Sequence, residues 1–155
     1  MEFSNECALL QEIYQGAAMG TESIRLLLPK VKNAGFRSDL KAQYQQYEST
    51  GQAAEQALKE LGHCPQAMLW LGVQGKILCN QETSYLAKLM IQGSNMGILS
   101  LTGVLNSYGD SQDNPAQSQT EAQFAQQAKN PAIDLARQTI QKERDNIDRL
   151  KVYLQ

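Results

Sequence analysis

Apolar residues recur at alternating steps of three and four over four long stretches of this chain, and no stretch of any length alternates with period two. In the first stretch Ile13, Ala17, Gly20, Ile24, Leu27 and Val31 share one face, predicting a helix over 5–33. Ser4 or Asn5 serves as its N-cap, with Glu6 beside the positive end of the dipole. Asn33 and Gly35 supply the stop, and Pro29 kinks the last turn or ends the helix early. The second stretch, Leu40, Tyr44, Tyr47, Gly51, Ala54, Leu58 and Leu61, predicts a helix over 37–62, capped by Ser38 and closed by Gly62 and Pro65. Leu86, Met90, Gly93, Gly97, Leu101, Val104 and Tyr108 predict a third over 81–108. The fourth covers 117–154 on Ala136, Ile140, Glu143, Ile147, Leu150 and Leu154. Within it, Asn130-Pro131 marks a kink or a restart with Pro at the first helical position.

Four amphipathic segments of about 25 residues, each roughly 37 Å long, describe an all-α helical bundle occupying 1–155 as one domain. The three-four alternation favours shallow, coiled-coil-like crossing angles. The connection over 63–80 is too apolar for an exposed loop, with Met68, Leu69, Trp70, Leu71, Val73, Ile77 and Leu78. It reads as a crossover, with a short helix from Pro65 to Cys79 that buries Trp70. The other reading is a third helix running unbroken from about 66 to 108.

The first and third helices resemble each other. Gln15-Gly16, Met19-Gly20 and Ser23 coincide with Gln92-Gly93, Met96-Gly97 and Ser100 at an offset of 77. Two glycines inside each helix cost roughly 1 kcal/mol apiece relative to Ala. The simplest offset is close backbone approach, with Gly16, Gly20, Gly93 and Gly97 packing the two repeats against each other. A duplicated helical hairpin joined by a long crossover is the layout of ferritin-like bundles. In this layout, in the paired Gln-Gly-x-x-Met-Gly segments and in the Thr83-Ser84-Tyr85 entry to the third helix, the chain resembles the ferritin-like superfamily and looks like a small bacterial branch of it. The resemblance implies an antiparallel four-helix bundle and no particular activity.

Composition narrows the chemistry. Apolar residues at 42% and charged residues at 19% exclude a disordered chain. A net charge of −2 argues against a nucleic-acid binder, which needs a basic field to release counterions. The most apolar stretch, 86–105, holds Lys88, Gln92, Ser94, Asn95, Ser100 and Thr102, too polar for a membrane span. With no basic start followed by an apolar run, a cytoplasmic location is the expectation. Three cysteines suit a reducing compartment better than a disulfide scaffold. His63, Cys64, Cys79 and Cys7 form a zinc ligand set without zinc-module spacing, and His63 beside Cys64 raises the question of a reactive thiolate. The blander reading has His63 solvated and Cys7 and Cys79 as small core fillers.

Ferritin-like di-iron centres use one Glu from each of two helices and Glu-x-x-His from each of the other two. Here the corresponding segments are Glu48-Ser49-Thr50-Gly51 and Glu143-Arg144-Asp145-Asn146, with Gly51 and Asn146 where His would stand. Glu22 on the first helix is turned away from the seam, and its repeat equivalent is Leu99. An orthodox di-iron centre is not expected, and no cofactor is assigned. Glu143 still occupies a core position, where a carboxylate must be paired, hydrogen-bonded or protonated. Tyr44, Tyr47, Gln15, Gln92 and Asn95 are its candidate partners, giving either a polar layer that fixes helix register or a small-ligand cavity around Glu48 and Glu143.

Two functions therefore stand as expectations. One is a non-catalytic bundle with a structural or protein-interaction role, a homo-oligomer or a binder of a protein partner, with no nucleic acid and no membrane. The alternative is a metal or small-ligand binder, an oxidoreductase relic holding iron or manganese at Glu48 and Glu143.

Overall fold

The computed structural model describes residues 5–66, 80–110 and 130–155, and every described element is helical. Helix α1 spans Asn5–Leu27, α2 Ala34–Glu60, α3 Thr83–Asp110 and α4 Pro131–Leu150. Short 3-10 turns follow α1 at Leu28–Lys30 and α4 at Lys151–Tyr153. Pro29 lies in the first of these turns and ends α1 early. Trp70, Cys79 and the glutamine-rich 117–127, like most of the expected crossover, lie outside the described residues.

Several boundaries differ from expectation for identifiable reasons. Asn33 does not stop α1; it caps α2, its side-chain oxygen accepting from Phe36 N at 2.9 Å. Ser38 is left inside α2. At the other end of α2, Gly62 takes φ +81°, and the N–H groups of Gly62 and His63 donate to the carbonyls of Lys59 and Leu58. This paired closure needs a left-handed residue, which is why Gly sits there. Residues 80–82 are not helical, so α3 starts at Thr83 and the unbroken helix from 66 does not form. Asn130 caps α4 through Ala132 N at 3.0 Å with Pro131 in the first turn, so the Asn-Pro pair is a helix start.

Two apolar clusters fill the interior. One joins Leu9, Leu10 and Ile13 of α1 to Ala54 and Leu58 of α2, Leu101 of α3, and Ala132, Ala136 and Ile140 of α4. The other joins Ile24 and Leu27 of α1 to Phe36 and Leu40 of α2, Leu86 and Met90 of α3, and Leu150 of α4. The end of α2 and the start of α3 thus belong to different clusters. Beyond α4, Tyr153 lays its ring on Phe36, centroids 5.0 Å apart, and donates its hydroxyl to Asp39 Oδ2 at 2.5 Å. The Gln11 side chain bonds both the N–H and the carbonyl of Gln66, tying the chain beyond α2 back onto α1.

Candidate functional site

The buried face of α2 runs Phe36, Leu40, Gln43, Tyr47, Thr50, Ala54 and Leu58. Polar Gln43 and Thr50 hold places where the sequence suggested Tyr44 and Gly51, a shift of one position within the same helical period. On α4, Glu143 and Asn146 sit one turn apart and are both buried. Ser94 of α3 is buried as well. These side chains form a polar layer between the two apolar clusters.

Tyr47 is its centre. Its ring lies against Gly20, where a Cβ would fall 2.7 Å from ring carbons, so the glycine opens the space the ring fills. Burial pushes the Tyr47 phenol well above its ordinary value, and the nearby Glu143 carboxyl adds to that, while Ser94 and Asn146 act in the opposite sense. Burial likewise raises the Glu143 carboxyl. Ser94 and Tyr47 stand close enough to favour its charged form, but Oε2 closes no hydrogen bond of good geometry with either, and burial prevails. Ser94 Oγ and both amide atoms of Gln43 also lack partners. Asn146 is better served, donating to Gln46 Oε1 at 2.8 Å.

Of the residues the sequence proposed, Tyr47 and Glu143 come together, and Ser94 and Asn146 join them in place of the rest. Glu48 is exposed, and Tyr44 is half-buried. Both flank the Arg25 guanidinium, which the Tyr44 hydroxyl and Glu22 hold above its ordinary value, with Glu48 contributing less. Gln15 is half-buried, Gln92 and Asn95 are exposed, and none of them perturbs Glu143 or Tyr47. The missed residues carried a signal. Asn146 lies three after Glu143, and Gln43 falls between Leu40 and Tyr47 at steps of three and four. Their polarity alone kept them out of the predicted seam.

The glycine expectation is corrected too. Gly20 does provide a close approach, but to Tyr47 of α2 and not to α3. Among the described residues nothing lies within 4 Å of a Cβ added at Gly16, Gly93 or Gly97. Five buried positions of α1 (Leu9, Leu10, Ile13, Ala17, Ile24) do fall 77 residues before five of α3 (Leu86, Ala87, Met90, Ser94, Leu101). Two helices of one period align in this way at any matching register, so the coincidence adds nothing to the repeat.

Iron or manganese does not fit the layer. It contains one carboxylate, and Glu48 lies on another face of α2. Among the described residues no group of three His, Cys, Asp or Glu could hold a metal. Cys7 is buried, while Cys64 is exposed. No described helix is long and apolar enough to cross a membrane. The layer lines neither the cleft between the end of α1 and the start of α2 nor the one between the start of α1, the end of α2 and the start of α4. No family model, curated protein or solved structure matches the chain.

Proposed function

We propose that this protein is a non-catalytic bundle of ferritin-like arrangement that works by packing against a second copy of itself along α3. The outer face of α3 carries the reading. From Leu89 to Gly109 the sequence has no charged residue. Met96 and Leu99 on this face are 64% and 73% exposed. Gly93, Gly97 and Gly103 each cost the helix roughly 1 kcal/mol relative to Ala, and no described neighbour occupies the space they leave. Projecting Met and Leu beside glycine gaps form a surface that complements itself under a twofold axis. The Glu12 carboxylate of α1 borders this face, accepting from Ser100 Oγ at 2.6 Å.

The arrangement is supported by the membership of the two clusters. The start of α1 shares a cluster with the ends of α2 and α3 and the start of α4; the end of α1 shares the other with the starts of α2 and α3 and the end of α4. An up-down-down-up bundle produces that sharing, with the end of α2 and the start of α3 at opposite ends. The 22 residues between Glu60 and Thr83 reach up to about 73 Å when extended, against roughly 40 Å for α2.

Light scattering on the eluting protein tests the proposal. A dimer is expected, with Met96→Glu and Leu99→Lys giving monomers whose circular dichroism is unchanged. A wild-type monomer at about 100 μM, where a micromolar dimer would be mostly assembled, would overturn it. The unpartnered Glu143, Ser94 and Gln43 atoms favour a second reading, a small polar guest in the buried layer. Water is the least demanding such guest. Elemental analysis after exposure to iron, manganese and zinc separates it from a metal.

A further inference from the structure

We infer that the cleft between the end of α1 and the start of α2 binds a phosphate monoester carried on a small apolar or aromatic body. The cleft measures about 590 Å³ and is lined by Arg25 from α1 and by Arg37 and Lys41 from α2. Ile24, Leu28, Pro29 and the Tyr44 ring supply its apolar wall. The cleft is open to solvent, a mostly apolar concavity on which a few polar groups converge. No acidic side chain lines it.

Charge along the chain is concentrated here. Residues 25–41 hold Arg25, Lys30, Lys32, Arg37 and Lys41 against Asp39 alone, a balance of +4 in a chain of −2, which leaves −6 for the remainder. Asp39 is turned to Tyr153 by their hydrogen bond. The cations are also partly positioned. Arg37 Nη2 donates to Val31 O at 2.5 Å, which anchors the guanidinium and leaves it four of its five donors. Arg25 is paired with Glu22 at 3.2 Å, with Tyr44 and Glu48 also beside it, so an anion in the cleft competes with Glu22 for its guanidinium. Lys41 makes no ion pair among the described residues. Two guanidinium forks and one ammonium suit a dianion with three equivalent oxygens better than a single carboxylate. The acidic surroundings and the small extent of the patch turn away a long polyanion such as nucleic acid. The same phosphate chemistry is available from a free small molecule or from a lipid headgroup.

Calorimetric titration of the full chain with phenyl phosphate at low ionic strength, with phenol as the uncharged comparison, tests the free ligand. Cosedimentation with phosphatidylcholine vesicles containing phosphatidic acid tests the headgroup. Saturable binding of either probe, weakened at least tenfold by Lys41→Glu and by Arg25→Ala, is expected, and the probe that binds identifies the source. Lys41 is exposed and its replacement leaves the Arg37 anchor intact, so loss of fold does not confuse the result. Binding of neither probe, equal binding of phenol, or binding that both variants leave unchanged would overturn the assignment.

Discussion

Glu143→Gln preserves the shape of the layer and removes its charge. Burial holds the folded carboxyl above the ordinary 4.5. Across the window from that value up to the raised one, the folded chain keeps the proton while the unfolded chain releases it. Stability therefore falls as pH rises through the window and levels off above it. An amide has no such proton to lose. A buried acceptor left without a donor costs about 1–3 kcal/mol, and Oε2 is such an atom. In the variant an N–H group can take that place and face the Ser94 and Tyr47 oxygens, each bond closed contributing about 0.5–1.5 kcal/mol. The variant is thus expected to be more stable at pH 8 by about 1–2 kcal/mol, a Tm rise of about 2–8 °C for a chain of this size. That advantage shrinks as pH falls to 4, where the native carboxyl is protonated in both states. Urea melts followed by circular dichroism at pH 4, 6 and 8 measure it, provided the slopes agree. A variant less stable than the native protein at pH 8 would mean that the charge is itself paired. A difference constant across the three pH values would refute the raised carboxyl.

Two further predictions concern packing and the C-terminal contact. Gly20→Ala drives a methyl into the Tyr47 ring and is expected to cost about 1–3 kcal/mol, whereas Gly16→Ala, exposed and without neighbours, should gain about 0.5–1 kcal/mol in thermal melts. Equal effects would remove Gly20 from its role beneath Tyr47. In a titration at 295 nm, the Asp39 hydrogen bond should hold the Tyr153 phenol at about 12, and Asp39→Asn should return it toward 10. A profile that Asp39→Asn leaves unchanged would dissolve that contact.

Helix existence and type were legible because period dominates over long windows. Ile13, Ala17, Ile24 and Leu27 are buried as their spacing requires. So is Glu143, whose seam position outweighed its charge. Boundaries were less legible where one residue can serve two elements: Asn33 is as good a cap for α2 as a stop for α1, and only the Phe36 contact distinguishes them. The site was half legible. A seam drawn through apolar residues passes over Gln43, Thr50, Ser94 and Asn146, because burial of a polar group depends on neighbours from other helices. Glu48 illustrates the converse. It stands one position past Tyr47, which turns it by about 100° and puts it on the surface.

The seat of Tyr153 on Phe36 and Asp39 bears on how the protein is made. Synthesis runs from the N-terminus, and 117 residues separate Phe36 from Tyr153. At about 5–20 residues per second, Phe36 leads its cover by roughly 6–23 s of synthesis. Through that interval Phe36, fully buried in the finished bundle, lacks its aromatic partner. That end of the α1–α2 hairpin is where a chaperone, or a neighbouring nascent chain, would find an apolar surface to hold.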